Sequence, residues 1–177
     1  MLNKNMSKSD IEKCLASKGG FIRIDYLTKF LKEDLSIEMK KFAYLKLAET
    51  YEGMKLFSDA ASVYESLAIL SLTFAEKRGY YLKGCELCIL AGNFVQADEF
   101  LQKSMSQANA NKKREIYDKV KDFYKRIAKH YEEEDKRNKA SIIYEKLLEM
   151  RIHDFERKEI KDKLKDLYER LGKKVNF

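Results

Sequence analysis

The chain has 177 residues, no proline, 7 glycines, an apolar share of 45%, a charged share of 37% and a formal net charge of +7. A proline-free chain rich in Lys, Glu, Leu and Ala suits long helices, and at this length folding buries roughly 70% of the unfolded surface, enough for a sizeable core. No apolar run approaches the ~20 residues that a membrane-spanning helix needs, and the polar start Met1 to Asp10 lacks the apolar stretch of a secretory signal, so composition points to a cytoplasmic all-α protein without membrane insertion, its Cys14, Cys85 and Cys88 reduced.

In chain order, Ser9 and Asp10 predict a helix start, with Ile11, Cys14 and Leu15 on one face up to Ser17 and Gly19-Gly20 as the stop. A second helix uses Leu27, Phe30 and Leu31. The segment Phe21-Ile22-Arg23-Ile24 has strand-like residues but is too short and lacks a partner, so it reads as helical. Ser36 caps a third helix through Met39, Phe42, Leu45 and Leu47 to about Gly53, and Ser58 caps its antiparallel partner, which turns Ala61, Tyr64 and Leu67 inward. The next pair covers residues 74–91 and 94–108, with Gly92 free to take a positive φ and Asn93 as the following cap. Asn109, Ala110 and Asn111 form a polar break before a long helix ending near Glu134. Two more helices cover 138–150 and 154–171, about nine in all. No linker rich in Gly, Ser or Pro divides them, which predicts one continuous domain over 1–177: an N-terminal hairpin (1–35), three repeats (36–150) and a capping helix (151–177) carrying Leu164, Leu167, Tyr168 and Leu171.

The repeats rest on a stencil centred on Ala60, Ala97 and Ala140. Tyr44, Leu47, Ala48 and Tyr51 followed by Ala60, Tyr64 and Leu67 recur at identical offsets as Tyr124, Ile127, Ala128 and Tyr131 followed by Ala140, Tyr144 and Leu147; Tyr81, Cys85, Gly92, Phe94, Ala97 and Leu101 form a looser copy between them. A helix pair of this kind cannot bury its apolar stripe alone and must stack on its neighbours. The stencil resembles the tetratricopeptide repeat family, in which small residues let two antiparallel helices nest. The alanines are 37 and 43 residues apart against about 34 in a standard repeat, a lengthening reminiscent of vesicle-fusion adaptors of the SNAP type. The resemblance covers residues 37–150 and implies a right-handed superhelical solenoid of antiparallel helix pairs with a concave groove lined by first helices.

By that resemblance the groove offers Phe42, Leu45, Glu49 and Glu52, then Leu82, Lys83, Glu86 and Ile89, then Lys125, Arg126, Lys129 and Glu132, grading from apolar and acidic to basic. Chaperone-binding members grip a carboxyl terminus with lysine and asparagine, and the corresponding places here hold Leu45 and Glu49. A helix or extended segment with an apolar anchor and a nearby acidic residue fits better. The implied function is a non-catalytic scaffold for a partner protein, with no cofactor and no small-molecule substrate. Charge opens an alternative. The segment 111–177 holds 21 basic against 15 acidic residues, so nearly all the positive excess lies there, and Lys112, Lys113, Arg114, Lys121, Lys125, Arg126 and Lys129 could bind RNA or a ribosome. Much of the charge alternates in sign at helical spacing, as in Glu159 with Lys163, which is the pattern of a solvated face. Cys85-x-x-Cys88 has the spacing of half a metal site but no second pair, His130 and His153 lie far apart, and no phosphate loop, HExxH or GxSxG occurs, so the sequence argues against an enzyme.

Overall fold

The computed structural model describes residues 2–173. Among these there are nine α-helices and no strand: α1 Lys8–Ala16, α2 Gly20–Phe30, α3 Ile37–Gly53, α4 Phe57–Ile69, α5 Phe74–Ala91, α6 Phe94–Ser106, α7 Ala110–Glu133, α8 Arg137–Glu149 and α9 Asp154–Arg170. The chain divides into two compact units, Met1–Ile116 and Tyr117–Phe177, with the boundary inside α7. No helix among the described residues is long and apolar enough to cross a membrane.

Local chemistry sets most helix starts where the sequence signals them. Ser36 accepts the N–H of Met39 at 3.2 Å and Asn93 that of Gln96 at 3.3 Å, each satisfying an orphan donor of the first turn. The segment 21–24 is helical, as expected. Apart from shifts of one or two residues, as at the end of α6, three boundaries differ from the sequence reading. Ser7, not Ser9, opens α1, in a capping box with Asp10. Gly20 begins α2 instead of closing α1. Ser58 lies inside α4, whose N-cap position is Leu56, without a side-chain cap.

The third difference follows from how the hairpins turn. Lys55, Gly92, Asp135 and Gly172 have φ of 60°, 76°, 54° and 65°. Beside each, a backbone N–H reaches back five residues: Leu56 to Tyr51 (2.9 Å), Asn93 to Cys88 (2.9 Å), Lys136 to Tyr131 (2.8 Å) and Lys173 to Tyr168 (2.9 Å). This is the Schellman closure, which ends one helix and aims the next without needing a capping serine. The four turns are spaced 37, 43 and 37 residues apart, the first two intervals matching those between Ala60, Ala97 and Ala140.

In the first unit α2 packs on α3, α3 on α4, α4 on α5 and α5 on α6; in the second, α8 packs on α9. The stencil's small residues, Ala48, Ala60, Cys85 and Ala97 in the first unit and Ala128 and Ala140 in the second, are all buried. Small side chains at such sites let helix axes approach to roughly 8–10 Å. Around them lie Phe30, Leu47, Leu67 and Phe100 in the first unit, and Tyr124, Tyr144, Leu147, Ile160, Leu164 and Leu167 in the second. Among the described residues no buried side-chain polar atom lacks a hydrogen bond; Ser104, for example, donates to the Arg78 carbonyl at 3.0 Å.

A close approach occurs at Gly84 of α5, where an added methyl would lie 2.6 Å from a ring carbon of Phe100, whereas at Gly79 of the same helix it would meet nothing within 4 Å. The two glycines therefore respond with opposite sign to one substitution. Gly84→Ala is expected to destabilise the fold by about 1–3 kcal/mol through overpacking, and Gly79→Ala to stabilise it by about 0.5–1 kcal/mol through helix propensity. Urea unfolding followed by circular dichroism checks both.

Candidate functional site

On α3, Glu38, Phe42, Leu45, Glu49 and Glu52 recur at intervals of four and three, and on α5 so do Glu76, Gly79, Lys83 and Glu86, so each set shares a helix face. Ion pairs join these faces sideways. Lys8 of α1 pairs with Glu38; Lys46 of α3 reaches Glu12 of α1 at 2.9 Å; Lys41 of α3 meets Glu76 of α5 at 3.1 Å; Lys83 of α5 meets Glu52 of α3 at 2.8 Å. The helices α1, α3 and α5 thus lie side by side. Each such pair is worth at most about 1 kcal/mol at the surface, but several acting between the same helices fix which residues face out together.

The sequence-predicted residues of the first unit meet within this array. Phe42 is half-buried, with the ammonium groups of Lys8 and Lys46 both 5.8 Å from its ring centre. Leu45 and Leu82 are half-buried and Glu49 is exposed. Glu49 and Glu12 flank Lys46, whose hydrogen bond to Glu12 first of all holds its ammonium above the usual range. Beside them is an open cleft of about 270 Å³ lined by Glu12, Leu15, Ala16, Arg23, Lys46, Glu49 and Thr50. Arg23 closes one end by donating to the carbonyls of Leu15 and Ala16, the last turn of α1. Glu86 is half-buried, and Ile89 is fully buried and belongs to the core instead of a lining.

The second unit carries the basic candidates. Lys125 and Lys121 turn to Glu156 of α9, while Arg126 lies 5.6 Å over the Phe123 ring and Lys129 sits 3.8 Å from Glu133. Lys125 also lowers the Glu156 carboxyl below its usual range, the first of several causes. Of the basic residues of this part of α7, Lys121 and Lys125 thus share the Glu156 carboxylate and Lys129 faces that of Glu133.

Sequence reasoning missed a polar cluster present in both units. Glu52 accepts from Tyr64 Oη at 2.8 Å and pairs with Lys83; Glu132 accepts from Tyr144 Oη at 3.0 Å and lies 3.7 Å from Lys163, which also donates to Tyr144 Oη at 3.2 Å. The three members of one cluster sit 80 residues after those of the other, and Lys121 with Glu156 repeats Lys41 with Glu76 at the same interval. Burial foremost, then the carboxylate, pushes both tyrosine hydroxyls above their usual range, so they stay protonated donors. The signal was available: extending the Ala60/Ala140 correspondence outward brings identical Glu, Tyr and Lys into register. The same correspondence sets Phe42, Leu45 and Glu49 against Asp122, Lys125 and Lys129, so the polar frame repeats while the open positions change character.

Burial raises the Cys85 thiol and raises that of Cys88 to about 11, opposite to what a thiolate ligand or nucleophile requires. His130 is exposed on α7 and His153 is exposed at the start of α9. Among the described residues no three or more His, Cys, Asp or Glu side chains are grouped to hold a metal ion. No protein-family model, characterised protein or solved structure matches the chain.

Two outcomes follow. In native protein iodoacetamide should label half-buried Cys14 well ahead of buried Cys85 and Cys88, which become reactive only on unfolding; mass spectrometry of labelled peptides reads this directly. Glu156 binds its proton less readily folded than unfolded, so its contribution to stability is present above the ordinary carboxyl value of 4.5 and lost as pH falls through the lower folded value. Glu156→Gln should be less stable than the wild type near pH 6 and closer to it near pH 3 in urea midpoint.

Proposed function

We propose that the chain is a non-catalytic interaction module that binds a peptide or helix of a partner protein, its helix pairs stacked as a tetratricopeptide-like right-handed solenoid. The observation that carries this reading is the lateral tie of α1, α3 and α5 by Lys46–Glu12, Lys41–Glu76 and Lys83–Glu52, with Phe42, Leu45 and Glu49 on one face of the middle helix beside the cleft. Half-buried apolar side chains next to the exposed carboxylates of Glu12 and Glu49 suit an apolar anchor flanked by a basic residue on the ligand. Positions Lys125, Arg126 and Lys129 of the second unit suit an acidic stretch.

A second reading, RNA or ribosome binding, draws support from Lys113 and Arg114, which are exposed and make no ion pair among the described residues. Against it stands the commitment of Lys121 and Lys125 to Glu156. Co-purification with the full chain as bait separates the two. Leu45→Glu and Glu49→Lys should each remove the same captured protein while leaving circular dichroism unchanged; retention of every captured protein by both variants rejects the proposal. Labelled RNA titrated at ~50 and ~200 mM salt should bind weakly, and tight binding that collapses with salt favours the second reading.

A further inference from the structure

The first unit exposes large apolar side chains at one corner. Ile69, Leu72 and Phe74, in the connection from α4 to α5, are 70%, 83% and 69% exposed. The Lys41–Glu76 pair sets the first turn of α3 beside that of α5, which brings Ile37, itself 55% exposed, to the same end. Scattered apolar residues on a surface need no explanation, but three within six consecutive residues, joined by a fourth from the adjoining helix, form a patch of the kind that marks an interaction site.

The charges around the patch indicate what it meets. Of the carboxylates at this end, Glu38 pairs with Lys8, and Glu76 with Lys41 while also accepting the Thr73 hydroxyl; exposed Asp34, three residues before Ile37, makes no ion pair among the described residues. Two cations are left over. Lys40 lies one turn after Ile37 and Lys77 one turn after Phe74, both half-buried, and neither makes an ion pair among the described residues. Apolar side chains at a tip with uncommitted lysines one turn behind match an anionic bilayer in depth order, where acyl chains lie beneath the phosphate layer and lysine stems let the ammonium groups stay at headgroup level. In the second unit Phe155, near the start of α9, is also 79% exposed.

We propose that the α4–α5 corner docks the protein peripherally on an anionic lipid surface, with Leu72 and Phe74 entering the interface and Lys40 and Lys77 holding the headgroups. No helix crosses the bilayer in this arrangement. The corner residues Leu72, Phe74, Lys40 and Lys77 are distinct from Phe42, Leu45 and Glu49 of the proposed protein binding, so the variants of one test leave the residues of the other in place.

Co-sedimentation of the full chain with vesicles tests it. Vesicles of phosphatidylcholine with about 30% phosphatidylserine should carry the protein down and vesicles of phosphatidylcholine alone should not. Lys40→Gln with Lys77→Gln should lower the partition coefficient about thirtyfold, at ~1 kcal/mol for each basic residue near an anionic surface. Leu72→Ser with Phe74→Ser alters only exposed side chains and should abolish binding with circular dichroism unchanged. The wild type failing to sediment with the anionic vesicles overturns the proposal. So does undiminished sedimentation of the serine variant, which would assign vesicle binding to the general positive charge. Light scattering that shows a dimer lost in the serine variant, with vesicle binding intact, would make the corner a self-association surface instead.

Discussion

Close approach of helix backbones is the constraint on which the rest of this structure depends. A hairpin of two helices buries little apolar area by itself, and gains more only if its axes come near enough for side chains to interlock with those of the next pair. Ala48, Ala60, Cys85, Ala97, Ala128 and Ala140 occupy the buried positions where anything larger would hold the axes apart, and at Gly84 even a methyl is too large because Phe100 fills the space. Large residues then do what small ones permit. Tyr64 and Tyr144 lie across the joint with their hydroxyls on Glu52 and Glu132, so an aromatic body fills the interior while its polar tip is satisfied at the rim.

That arrangement recurs with a definite register. The left-handed turn residues Lys55, Gly92, Asp135 and Gly172 are placed at intervals that alternate between 37 and 43 residues, and the Glu–Tyr–Lys cluster returns after 80. Equivalent places differ where their surroundings differ. At the α5 positions that meet α6, Gly84 and Cys85 are small; 80 residues on, α9 has Leu164, which stays buried, and Lys165, which is exposed. The position of buried Cys85 is thus solvated in the second unit while that of Gly84 stays buried under a larger side chain, and the backbone turn that follows is the same.

Helix content and most boundaries were legible because caps and periodicity act within a few residues. Ser36 and the pair Gly92-Asn93 announce themselves locally. Ser58 misled because the turn before α4 is closed by a backbone bond beside Lys55, a lysine in a conformation that costs roughly 1–2 kcal/mol and that no propensity scale would assign to it. Ser9 misled because Ser7 offers the same hydroxyl with Asp10 at the right spacing for a reciprocal bond. The candidate surface was half legible. Periodicity gives which residues of α3 share a face, but not that Lys83 would be bound to Glu52 or Lys125 to Glu156, because pairs 31 residues apart depend on how neighbouring helices are rotated. The exposed corner at Leu72 and Phe74 was not legible, because an apolar residue at a helix junction carries no local signal of whether a neighbouring helix covers it.

The sideways ion pairs of the first unit also bear on how fast anything could attach to it. Opposite charges paired at 2.8–3.1 Å project little field beyond the screening length of ~8 Å, so these pairs neither draw in nor turn a diffusing molecule before it touches. Encounter on that face is then set by random collision and orientation, in the unsteered range of about 10⁵–10⁶ M⁻¹s⁻¹. Selectivity there would reside in residence time, through the fit of apolar groups around Phe42 and Leu45, and would change little with ionic strength.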